Sequence, residues 1–295
     1  MAAVGGPALL VACGGDDEGP DEEGTPADEA GPIENGAPDP DAPVLGISFD
    51  RNGLLVAGLV QRAPFVLFSA DGGQFPDPPA ELTFRVGPEG EDGEVVDVEL
   101  AGGDDVPQYY PLRFTYPEPG LWTVTTEVGG EPLSSTLSVN EPGAVAISQV
   151  GEPLPAIATP TAAAPLGATV LCTREPPCPF HEVSVDAALA EGRPVALLVS
   201  TPAFCVTAVC GPVLDVLIEA ATAAPPELAV VHLEVYPFGI DPSEEGSLQP
   251  LVAGELGMTF EPALFVTDPA GTVTARLDNV WDRAELDEAL ASATA

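Results

Sequence analysis

The stretch 194–212, Pro-Val-Ala-Leu-Leu-Val-Ser-Thr-Pro-Ala-Phe-Cys-Val-Thr-Ala-Val-Cys-Gly-Pro, leaves this chain the fewest ways to fold. Residues 195–199 are an unbroken apolar run ending at Ser200, Thr201 and Pro202, the pattern of a strand buried on both faces. After the second cysteine, Pro212 is followed by Val213, Val216, Leu217 and Ala220 at helical spacing, until Pro225 and Pro226 forbid continuation. Cys205 and Cys210 therefore sit at the joint between a buried strand and a helix N-terminus. Free amide groups and the helix dipole there favour a thiolate over a thiol.

The spacing of the two cysteines sets a geometric condition. Residues five apart on a regular α-helix stand roughly 8.6 Å apart, and a disulfide spans less than about 7 Å. Either Gly211 and Pro212 begin the regular helix and both cysteines fall in the preceding loop, or Pro212 is an internal kink and the first turn is distorted.

The order strand, Thr-Pro-x-Phe-Cys, second cysteine, helix resembles the active-site turn of the thioredoxin-like family, with Phe204 where an aromatic precedes the first cysteine. Thioredoxins carry two residues between the cysteines; this chain carries Val206, Thr207, Ala208 and Val209. The remaining segments follow a similar order. A short helix is predicted over 184–191, a strand over 228–235, and a helix over 247–256 capped by Ser247. A hairpin of 263–267 and 272–277 follows, and Asp282 with Glu285 makes a capping box for the last helix. Pro262 stands just before the hairpin, where the family carries a cis-proline facing the cysteines. The resemblance covers 168–295 and implies an α/β thioredoxin-like domain. Within it Cys205 would be the nucleophile, Cys210 the resolving thiol and Pro262 part of the same site.

Upstream, 44–140 contains eight short strand patterns separated by turn residues: 44–49, 54–60, 64–69, 81–87, 94–100, 111–116, 121–128 and 133–139. Alternation is clearest in Leu82, Phe84, Val86 and in Trp122, Val124, Thr126, Val128, with a Gly129-Gly130 turn behind. This predicts an antiparallel β-sandwich, and Pro119-Gly120-Leu121-Trp122-Thr123-Val124 resembles the turn into a late strand of immunoglobulin-like domains. The expected fold is thus two domains, an all-β immunoglobulin-like sandwich and a C-terminal α/β thioredoxin-like domain. The segment holds no cysteine or histidine, so an interaction or spacer role is expected of it, with Tyr109 and Tyr110 as aromatics that could meet a partner.

The N-terminus speaks to compartment. Residues 4–12 are mostly apolar and too short to span a bilayer, and Leu10-Val11-Ala12-Cys13 matches a bacterial lipobox in which Cys13 is lipidated. No basic residue occurs before Arg51. The expected organisation is a lipoprotein signal segment at 1–13, an acidic disordered tether at 14–42, the sandwich at 43–142, a Pro- and Ala-rich linker at 143–167 and the second domain at 168–295. The protein would be extracytoplasmic and bound to the membrane through a lipid on Cys13.

Eight basic residues, all Arg, against 47 acidic ones give a net charge of −39. That sets aside nucleic acid and anionic membrane surfaces as partners, because a polyanion is repelled and no basic patch can be assembled. No phosphate-binding glycine loop or serine triad is present, so no cofactor is expected. Four cysteines remain after lipidation; proximity and an oxidising compartment favour the disulfides Cys205–Cys210 and Cys172–Cys178. A metal site built on Cys205, Cys210 and His181 or His232 ranks lower. The five-residue gap between Cys172 and Cys178 lies outside the usual zinc spacing, and no metal is expected. Two readings stand. One is a membrane-anchored thiol–disulfide oxidoreductase acting on a cell-envelope protein. The other is a non-catalytic surface lipoprotein with a structural Cys205–Cys210 bond, whose domains bind a partner.

Overall fold

Period-two burial and tight turns build the first half of the chain. The computed structural model describes residues 41–48, 54–205, 207–237 and 248–294. Cys13, the lipobox, most of the acidic segment and Ser247 lie outside the described residues. The first eight strands are β1 (Pro43–Ile47), β2 (Leu55–Val56), β3 (Val60–Ser69), β4 (Glu81–Pro88), β5 (Glu94–Glu99), β6 (Tyr110–Thr115), β7 (Gly120–Val128) and β8 (Glu131–Asn140). They form a three-stranded sheet, β1-β3-β6, and a five-stranded sheet, β2-β8-β7-β4-β5. Along β4, Leu82, Phe84 and Val86 are buried while Glu81, Thr83 and Arg85 are exposed, so one face of that sheet points inward. Gly129 and Gly130, both in the left-handed region, turn β7 directly into β8. Phe84 of the larger sheet meets Phe65 and Tyr110 of the smaller one with ring centres 5.4 and 6.2 Å apart. The inner faces of the two sheets therefore pack on each other.

The second half holds α1 (Val185–Ala190), β9 (Val195–Ser200), α2 (Cys210–Ala221), β10 (Ala229–Glu234), β11 (Ala263–Thr267), β12 (Val273–Asp278) and α3 (Arg283–Ala291). Its sheet has the order β10-β9-β11-β12, with β9 parallel to β10 and antiparallel to β11. All six residues of β9 are buried, as the apolar run predicts.

The expected fold class, an immunoglobulin-like sandwich followed by a separate thioredoxin-like α/β domain, is corrected by the structure. Among the described residues twelve strands in three sheets stand against three α-helices, and those residues form one compact unit. The helix predicted over 247–256 is reduced to a single wide turn, Leu251–Glu255, which Gly257 ends in the left-handed region. So few helices cannot cover both faces of the four-stranded sheet. One face instead joins the core of the first half. A continuous cluster runs from Phe65, Phe84 and Trp122 through Ile147, Leu154 and Ile157 to Val195, Leu197, Val199 and Phe265 on the sheet. The segment expected as a linker supplies the bridging side chains, and Pro153 pairs with Thr272 beside β12. The opposite face, with Ala196, Leu198, Leu264 and Val266, packs on Val213 and Leu217 of α2 and Leu286 of α3. Tyr109 and Tyr110, aromatics that could serve either a partner or the core, are core: both are buried.

A polar network crosses between the halves. Arg62 of β3 donates from Nε to Glu285 Oε1 at 2.8 Å and from Nη2 to Oε2 at 2.6 Å. The Tyr109 hydroxyl donates to Glu285 Oε2 at 2.6 Å and accepts from the Asp282 amide at 2.8 Å.

Candidate functional site

The chain leaves β9 at Ser200 and is held at once by local bonds. The Phe204 amide donates to the Thr201 carbonyl at 3.3 Å, and the Ala203 amide donates to Thr173 Oγ1 at 3.0 Å. The Phe204 ring stands edge-on to Tyr236, 5.8 Å between centres. Ala208 takes a left-handed backbone, φ 57°, with its amide bonded to the Cys205 carbonyl at 3.2 Å. That turn sends the chain back so that α2 starts at Cys210 while Cys205 remains in the turn before it.

The structure lies between the two arrangements left open by the spacing: α2 begins at Cys210, so Cys205 alone stays in the preceding loop. Pro212 lies in the first helical turn, where its missing N–H would have had no intrahelical partner. The N-cap residue of α2, Val209, makes no capping bond with its side chain. Cys205 Sγ instead accepts the Cys210 amide at 3.3 Å and lies 3.3 Å from Thr207 Oγ1. Cys205 is half-buried and Cys210 fully buried.

The electrostatics separate the two thiols. The hydrogen bond from the Cys210 thiol, aided by Thr207 and the backbone amides of Cys210 and Val209, outweighs burial and brings Cys205 down to about 5. Cys210 is pushed up by the same bond, by burial and by the charges of Cys205 and Glu261. Burial and the Cys205 charge in turn raise the Glu261 carboxyl. Pro262 is joined to Glu261 by a cis peptide bond and is thereby the immediate neighbour of a residue whose charge acts on the thiols. Glu261, Phe260, Thr207 and Val209 line a groove of about 590 Å³ together with Val66 and Phe68 of the first half.

Neither expected disulfide is formed: Cys172, Cys178, Cys205 and Cys210 are all free thiols. Cys178 Sγ faces two imidazoles instead, His181 Nε2 at 3.2 Å and His232 Nδ1 at 3.4 Å. The donor atoms of Cys172, Cys178, His181 and His232 all lie within 4.8 Å of one another.

No family model matches this chain, and no curated protein matches it. Among solved structures, an engineered protein is similar over 35% of this chain and 20% of its own, at 17% identity and a TM-score of 0.24. A modular endo-β-1,4-mannanase from Cellulomonas fimi is similar over 35% and 19%, at 16% identity and 0.23. A ZirS C-terminal domain is similar over 44% and 87%, at 18% identity and 0.22. The chain thus spans about a fifth of the first two. At such scores none of the three bears on fold or function.

Two features of these sites escape sequence reasoning. Thr207 is one of four spacer residues, with nothing in the pattern to single it out. The cysteine–histidine cluster is hidden because His232 sits in an apolar strand, 54 positions from Cys178. The one local signal is the crowding of Cys172, Cys178 and His181 into a single loop.

Proposed function

We propose that this chain is an extracytoplasmic thiol–disulfide exchange protein, held at the membrane through a lipid on Cys13 and acting through Cys205 and Cys210. The observation that carries the reading is the placement of Cys205 Sγ, accessible and bonded to the first amide of α2. A helix N-terminus stabilises the thiolate, which is the attacking species.

In the exchange, the Cys205 thiolate attacks one sulfur of a substrate disulfide and the other sulfur leaves as a thiolate. Cys210 then loses its proton and attacks Cys205 Sγ, closing the Cys205–Cys210 bond and releasing the second substrate thiol. The substrate gains two electrons and the cysteine pair loses them; an external dithiol restores the reduced pair. The groove lined by Thr207 and Glu261 offers a polypeptide an apolar bed, and Thr207 Oγ1 in its wall lies 3.3 Å from Cys205 Sγ.

One observation favours the alternative of a non-catalytic pair: the bond to Cys205, burial and, least of these, the Glu261 charge raise Cys210 and so oppose the second attack. Turnover of a peptide disulfide with dithiothreitol as donor, together with the reduction potential of the pair, separates the two. Exchange predicts turnover that Cys205→Ser abolishes and a mixed disulfide that Cys210→Ser traps. A potential far below about −300 mV with no turnover identifies a structural bond and overturns the proposal.

A further inference from the structure

Two thiols and two imidazoles converge in the interior, beside the cluster of apolar side chains that holds Phe180 and Leu198. Cys172, Cys178 and His181 come from one loop, and His232 from the edge strand β10 that this loop covers. The His232 amide donates to the Phe180 carbonyl at 3.0 Å, which joins loop to strand. Every one of the four residues is less than a tenth exposed.

Their spacing matches a coordination shell. With zinc bonds of about 2.3 Å to sulfur and 2.0–2.1 Å to nitrogen, neighbouring corners of a tetrahedron stand roughly 3.3–3.8 Å apart. Cys178 Sγ stands 3.2 and 3.4 Å from the two ring nitrogens, at the short end of that range, and all four donor atoms lie within 4.8 Å of one another. His232 Nε2 faces the Ser200 hydroxyl at 2.9 Å and the Ser200 carbonyl at 3.2 Å, both able to accept its hydrogen, and in that tautomer Nδ1 turns a lone pair toward Cys178 Sγ. His181 Nδ1 is buried without a hydrogen-bond partner, and Nε2, 3.2 Å from Cys178 Sγ, is the ring nitrogen placed to meet an ion.

We infer that Cys172, Cys178, His181 and His232 form a closed tetrahedral zinc site. Two thiolates and two imidazoles suit zinc, and four protein ligands mark a structural site rather than one open to substrate. The ion would clamp the 172–181 loop to β10. The same loop presents Thr173, whose hydroxyl donates to Glu234 Oε2 at 2.8 Å and accepts the Ala203 amide at the root of the Cys205 turn. The inference stands apart from the exchange reading, since it uses neither Cys205 nor Cys210.

The test uses the full chain, reduced and anaerobic, equilibrated with zinc and then dialysed, and in parallel loaded with Co²⁺. One zinc per chain is expected, with the intense visible bands of tetrahedral cobalt and thiolate-to-cobalt charge transfer in the ultraviolet. The Cys205→Ser/Cys210→Ser variant keeps both signals; Cys178→Ser and His232→Gln lose them. Should those variants fail to fold, the cobalt spectrum of the unaltered chain decides alone. Loss of zinc on dialysis, octahedral cobalt without charge transfer, signals that vanish with Cys205 and Cys210, or a Cys172–Cys178 disulfide mapped in the zinc-treated chain would each overturn the site.

Discussion

Cys205 and Thr207 concentrate the chemistry of the turn into two side chains. The Cys205 thiol is held near 5 first by the Cys210 thiol and then by the Thr207 hydroxyl, against about 8.5 for a free cysteine. Its folded value lies below the unfolded one, so thiolate formation stabilises the reduced protein fully above about 8.5. That contribution is lost as pH falls through about 5. Alkylation of Cys205 by iodoacetamide is therefore expected to reach half its maximal rate near pH 5 in the reduced chain. Thr207→Val moves that midpoint upward by removing one donor, without disturbing the buried Cys210. A midpoint near the free-cysteine value would show that the amide and hydroxyl do not act on the sulfur as their geometry indicates.

The turn after the wide helical segment Leu251–Glu255 depends on one glycine. Gly257 has φ +64°, and a Cβ there would come within 2.6 Å of Ala146 Cβ and 2.8 Å of the Ala146 carbonyl carbon. The left-handed backbone alone costs a non-glycine residue about 1–3 kcal/mol, and the approach to Ala146 in the 143–167 segment adds a clash with main chain. Gly254 has open space around its Cα. Gly257→Ala should lower stability in urea unfolding by at least that amount, while Gly254→Ala should be neutral or stabilising by up to about 1 kcal/mol. Equal effects at the two positions would mean that the contact with Ala146 is not what keeps this turn in place. Elsewhere a glycine divides an expected strand: Gly58, at φ 83°, separates β2 from β3 where the apolar pattern predicts one run over 54–60.

The two halves share a core and a buried ion pair, so they should unfold together. Burial would raise the Glu285 carboxyl, but Arg62, Tyr109 and Arg113 together hold it below the ordinary carboxylate value. A depressed folded value stabilises the protein above about pH 4.3, and that stabilisation is lost as pH falls through the folded value. Glu285→Gln is expected to flatten the acid limb of a stability-against-pH curve. Arg62→Ala, which strands a buried carboxylate, should cost about 3–5 kcal/mol. Both measurements presuppose a single cooperative transition; two separated transitions by calorimetry would show that the halves are independent.

Much of the local structure is legible in the sequence because its causes act over a few residues. Alternating apolar positions and paired glycines mark β4, β7 and the turn to β8, and the apolar run before two cysteines marks β9 and the start of α2. A short pattern cannot say what covers a face. The merging of the halves depends on Ile147, Leu154 and Ile157 from a segment that reads as a linker, and on Arg62 meeting Glu285 across 223 positions. The neighbours of each sulfur are likewise decided in three dimensions. His232 reaches Cys178 only because the 172–181 loop lies along β10, and no periodicity in the chain encodes that approach. Side-chain pattern governs where strands and turns form, whereas contacts between remote segments, each gaining only when the others are in place, govern which faces and which thiols meet.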